Sequence, residues 1–289
     1  MNFSERFGFK SIKDKIQDKS MDTDLKNSIW NALKLSYFDI ENISYEPYLI
    51  QKYNYLFGQI WVNHFKLALD TLEDHIVEKY NQIKGIYFKK LEWNEIYDLI
   101  EFIVNTYRDP ELNQKFIKFC NIIFKKELSA YRFVGTRLTK ITSETEIAEI
   151  EEALKIKDPF KPIVRHLNNS LKLFSDKKTP DYKNSIKESI SAVEAMCQII
   201  TQNKKATLGD ALKLIEKQGK VQLHQALKMA FNKLYGYTSN ASGIRHGSGL
   251  MEDHDLDFED AKFMLVSCSA FINYLKEKVN KAKLKIKKL

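Results

Sequence analysis

Apolar residues recur at helical spacing along most of this chain. Leu25, Ile29 and Leu33 return every four residues behind Asp22. A short carboxylate there is a good N-cap, so a helix is predicted over about 22–38. Pro47, a residue favoured in a first turn, opens a second helix that runs to about Phe65, with Leu49, Tyr53, Leu56, Ile60 and Trp61 facing inward. Further helices are predicted over 72–88, 92–106 and 110–128. The aromatics Trp30, Trp61, Trp93, Phe102 and Phe116 are expected to fill the core between them. The period changes at Tyr131. From there to Ile141 the chain is β-branched and aromatic around Gly135-Thr136, which predicts a β-hairpin. Ser143 and Glu146 have capping-box spacing and start a helix through about Lys155. Asp158-Pro159 reads as a fresh helix start, so a domain boundary is placed near 156–158, dividing the chain into 1–156 and 157–289.

The second part is patterned more regularly. A helix over 159–175 is expected to bury Ile163, Leu167, Leu171 and Phe174. A second, over 181–202, should bury Ile186, Ile190, Val193 and Cys197, leaving Asn184, Glu188 and Ser191 on its opposite stripe. Shorter helices follow at 207–217 and 220–237, then a polar, glycine-bearing loop over 238–249. The last helix begins near Asp257 and carries Ala261, Leu265, Cys268, Ile272, Leu275 and Val279, a sustained apolar seam. The fold class is mainly α: an N-terminal helical domain with a small β-hairpin, then a helical bundle.

Composition narrows this further. Domains of about 100–200 residues are usual, so 289 residues suggest two. With only 10 Gly and 5 Pro the chain is not loop-dominated or collagen-like. Cys120, Cys197 and Cys268 are odd in number and far apart, which fits buried thiols in a reducing compartment. No apolar stretch opens the chain and no window reaches the roughly 20 apolar residues of a membrane span. A cytoplasmic protein without a membrane partner is expected. The net charge of +8 permits an anionic partner such as nucleic acid.

Phosphate-loop, dinucleotide, HExxH and GxSxG signatures are missing, and the six histidines have no metal-ligand spacing. No metal site and no cofactor are expected. Chemistry concentrates in the loop Asn240-Ala-Ser-Gly-Ile-Arg-His-Gly-Ser-Gly249. Its glycines let backbone bend tightly or approach a ligand. Arg245 offers a fixed cation for phosphate, and His246 titrates near neutrality. That pair suits phosphodiester cleavage: Arg stabilises charge on phosphorus and His moves a proton. RNA supplies its own 2′-hydroxyl nucleophile. The other reading is a flexible connection whose Arg and His are solvated or cap a helix end.

Several stretches carry a resemblance. Tyr182–Ala195, Lys233–Ser239, Gly243-Ile-Arg-His246 and Asp257–Leu275 resemble the HEPN-type domain of abortive infection (phage-defence) proteins. Phe3–Gly8 and Ser20–Trp30 resemble the N-terminal domain of AbiJ-like proteins. The resemblance implies an up-and-down bundle, often dimeric, and in many members a metal-independent endoribonuclease acting on tRNA or mRNA. It implies a homodimer, an RNA partner and a phage-derived activator, with the N-terminal domain as sensor or regulator. Active members carry an Arg and then, after four to six residues, a His. Arg245 matches, but positions 250–252 hold Leu250, Met251 and Glu252. The catalytic set expected here is therefore Arg245 with His246 or His254, while Asn240, Glu188 and Tyr235 are expected to meet substrate. Arg165-His166 repeats the Arg-His pair on a helix, where solvated surface is the stronger expectation. The alternative is a HEPN-like module without catalysis that binds nucleic acid, nucleotide or a partner protein.

Overall fold

The computed structural model describes residues 15–39, 47–156, 160–176, 179–205, 224–240 and 256–281, with the single positions 3, 7, 210, 213 and 217; for Pro47, Leu49 and 235–240 it describes backbone alone. The chain divides into two compact units, Met1–Lys140 and Ile141–Leu289.

The first unit runs α1 (Thr23–Tyr37), α2 (Pro47–Gln59), α3 (Ile76–Lys89), α4 (Trp93–Thr106), α5 (Pro110–Lys126), then the strands β1 (Arg132–Val134) and β2 (Arg137–Thr139). The caps expected from sequence form. Asp22 accepts from the Leu25 amide at 2.9 Å, and Asp109, before Pro110, accepts from Leu112 at 3.0 Å. The hairpin pairs Phe133 with Leu138 and Val134 with Arg137, and Gly135 takes a φ of 58° in its two-residue turn. Trp30 anchors the core, with the rings of Phe38, Tyr80, Tyr87 and Phe88 at 4.8 to 5.7 Å. Trp61 and Phe116 are buried as expected, whereas Trp93 and Phe102 pack against the core only half-buried. Beyond Gln59 the helix widens into a π turn, Ile60–His64. The Trp61 indole N–H stabilises it by donating to the Ala68 carbonyl at 2.9 Å.

The second unit comprises α6 (Glu144–Leu154), α7 (Lys161–Phe174), α8 (Tyr182–Thr201), α9 (Gln225–Asn240) and α10 (Phe258–Lys281). The two compact units divide at 140/141, whereas the boundary expected near 156–158 falls after α6. That helix packs on α10, where Asn273 donates to Glu149 at 2.9 Å and Lys262 meets Glu146 at 3.1 Å. The capping box at Ser143 is half-formed: its hydroxyl accepts from the Glu146 amide at 3.4 Å, and the Glu146 carboxylate turns to Lys262. Central α8 buries 12 of its 20 residues, against α7 on one side and α10 on the other. All six seam residues from Ala261 to Val279 are buried. The helix expected over 207–217 lies largely outside the described residues. Among the described residues, no helix is long and apolar enough to cross a membrane.

Candidate functional site

Arg245, His246 and His254 lie outside the described residues, and for Tyr235 and Asn240, on the last turns of α9, the backbone alone is described. Glu188 is the expected site residue whose surroundings are defined, and it stands at a helix pair with a polar interior.

Two short helices joined by a brief loop pack antiparallel, so residues a similar distance from the loop come opposite each other. On α7 the apolar stripe Ile163, Leu167, Leu171 and Phe174 is buried against α8, as its spacing predicts. Within that contact lie three buried hydroxyls. Ser170 Oγ meets Ser189 Oγ at 2.7 Å and Ser185 Oγ at 3.0 Å, and donates to the Ser185 carbonyl at 2.9 Å. Small hydroxyls let the helices approach closely, and each finds a partner, as burial demands.

At the rim of this network, His166 on α7 and Glu188 on α8 meet, with Nδ1 and Oε2 2.7 Å apart. Both side chains are about one-quarter exposed, at 24% and 26%. Asn169 Nδ2 lies 3.4 Å from the same oxygen. An ionised carboxylate only accepts hydrogen bonds, so Nδ1 carries a proton, and in the neutral ring Nε2 is the nitrogen left with the lone pair. This is the arrangement of an oriented general base. Arg165, the preceding residue, is exposed on α7. Sequence reasoning gave Glu188 to substrate and His166 to solvated surface; the structure joins them. The available signal was their similar distance from the 175–180 loop.

Other groups are less suited to chemistry. Burial pushes the Cys197 thiol up to about 12, with the charge of Glu194 adding to the effect, and burial alone does the same to Cys268. Neither provides a thiolate nucleophile near neutrality. No group of three metal-ligating side chains is found among the described residues. The first unit holds a cavity of about 440 Å³ lined by Lys19, Lys26, Lys89, Lys90 and Trp93, a feature the sequence did not suggest. There Lys26 donates to the Phe88 and Leu91 carbonyls at 3.4 and 3.2 Å, closing the C-terminal end of α3.

Comparison with known proteins adds one relationship. The family model for AbiJ N-terminal domain 4 matches residues 1–155, which takes in the first unit and α6. No curated protein and no solved structure gives a match. With more than half of its length matched, the chain belongs to the AbiJ N-terminal domain 4 family, of the AbiJ-like abortive infection proteins.

Proposed function

We propose that this protein is an anti-phage abortive-infection effector whose second part is a HEPN-type, metal-independent endoribonuclease acting on tRNA or mRNA. Membership of 1–155 in an AbiJ N-terminal domain family is the observation that carries the defence role. The ribonuclease role is supported by the HEPN-like stretches between Tyr182 and Leu275 and by Arg245 within them. In this reading residues 1–156 sense or restrain, and 157–289 cut. The protein works in the cytoplasm as a homodimer released by a phage-derived activator. Arg245 holds the phosphate, His246 or His254 moves the proton, and Asn240, Glu188 and Tyr235 line the substrate path.

Incubating the full chain with total cellular RNA in EDTA tests this. We expect discrete fragments from wild type once an extract of phage-infected cells is added, and intact RNA with Arg245→Ala under the same conditions. One feature favours a second reading, a module that binds nucleic acid, nucleotide or a partner protein without cutting: Leu250, Met251 and Glu252 stand where active members carry His. Salt-sensitive RNA binding with no fragments in any lane would select it.

A further inference from the structure

We propose that His166, held by Glu188, is a proton-transferring catalytic residue acting on RNA phosphodiesters, a role that rests on the ribonuclease reading above and extends it to a residue outside the Arg245 loop. Three observations carry the assignment. First, the pair joins two different helices at 2.7 Å, so it does not follow from local sequence on one helix. The buried Ser170–Ser185–Ser189 network beside it fixes those helices against each other, which holds the imidazole on a rigid frame. Second, the carboxylate on Nδ1 selects the tautomer that leaves Nε2 as a base, while both groups keep contact with solvent. A purely structural pair gains little from partial exposure. Third, the exposed positions of α7 are Lys161, Pro162, Arg165, Asn168, Asn169 and Lys172, and α7 has no acid. On α8, Lys183 and Lys187 are exposed near the same end as Glu188. Cations and amides around an oriented imidazole suit a phosphate backbone.

The step balances without a metal or co-reactant. Nε2 of His166 takes the proton of the ribose 2′-hydroxyl. The 2′ oxygen forms a bond to phosphorus as the bond from phosphorus to the 5′ oxygen breaks. The departing 5′ oxygen takes a proton from water, and His166 returns its proton to solvent. The products are a 2′,3′-cyclic phosphate and a 5′-hydroxyl end. Glu188 touches the imidazole and acts as a positioning residue.

The experiment uses the full-length protein, an extract of phage-infected cells and an end-labelled oligoribonucleotide in EDTA, with a matched oligonucleotide that lacks the 2′-hydroxyl. We expect wild type to release cyclic-phosphate ends from RNA alone. His166→Ala should lower kcat by about 100-fold or more, with partial recovery when imidazole is added. Glu188→Gln should lower kcat by a larger factor than it raises KM. Nitrogen NMR of the wild-type ring should report the Nδ1-protonated tautomer. If His166→Ala cuts at the wild-type rate while Arg245→Ala is dead, the His166 role is overturned and the ribonuclease reading stands. If wild type cuts no RNA even with the infected-cell extract present, both fall. If His166→Ala and His166→Gln are inactive, melt far below wild type and are not rescued by imidazole, the pair is structural and the proposal fails.

Discussion

Gln17 shows how much one buried side chain can organise. Only 6% exposed, it makes four hydrogen bonds within the first unit. Its amide donates to the Leu128 carbonyl at 2.8 Å, and its own carbonyl accepts from Ala130 at 2.9 Å. Its side chain donates to the Glu127 carbonyl and accepts from the Asp22 amide, each at 2.6 Å. It thus ties the start of α1 to the chain leaving α5, where Leu128 takes a φ of 54°. Gln17→Leu keeps the bulk but strands two backbone groups, each costing about 1–3 kcal/mol when left buried and unpaired. We expect a clear fall in the denaturation midpoint with an unchanged slope in urea. A midpoint within error of wild type would show that water reaches both groups. Nothing in the sequence marks Gln17: one polar residue among Lys15, Ile16 and Asp18 carries no pattern. The same holds for His166 and Glu188. Their types were readable and the flanking apolar stripes were placed correctly. Their meeting depends on how far each helix is rotated about its axis, and periodicity of one helix does not contain that.

Helix ends were legible where the signal is local. Asp109-Pro110 combines an N-cap carboxylate with a residue suited to the first turn, and α5 begins there. Asp109→Ala removes the bond to the Leu112 amide and a 3.7 Å ion pair with Lys52. The cap should dominate, because a half-exposed ion pair contributes little. We expect a loss of about 1 kcal/mol in Asp109→Ala and near wild-type stability in Asp109→Asn, which keeps an acceptor at the cap. Equal losses in both variants would assign the effect to charge. The π turn after α2 was not legible. One extra residue in a turn barely changes the apolar pattern. Its support comes from the chain just beyond it: the Trp61 indole bonded to Ala68 and Thr71, and Lys66 at a φ of 57°. The half-formed box at Ser143 has a tertiary cause, since Lys262, more than a hundred residues away, holds the Glu146 carboxylate.

At the scale of the whole molecule, the two units bury titratable groups of different kinds, and alkali should separate them. The first holds Cys120 and the phenols of Tyr37, Tyr87 and Tyr97, with those of Tyr53 and Tyr131 partly buried. All are pushed upward mainly by burial, Tyr97 to about 12. The second holds Cys197 and Cys268, each pushed up to about 12. For such a group the folded state keeps its proton after the unfolded state has lost it. Its contribution is therefore complete below the ordinary thiol value near 9 or phenol value near 10, and is lost as pH rises toward the folded value. Each such proton costs about 1.4 kcal/mol per pH unit across that window. Both units should weaken from about pH 9 through their thiols. The first should then weaken more steeply above about pH 10, where its raised phenols join. Alkylation of the thiols, followed by peptide mass spectrometry across a pH series, reads each unit separately. We expect all three cysteines to be protected at pH 8 and Cys120 to become reactive at lower pH than Cys197 and Cys268. Simultaneous exposure of all three would mean that the units unfold as one cooperative body.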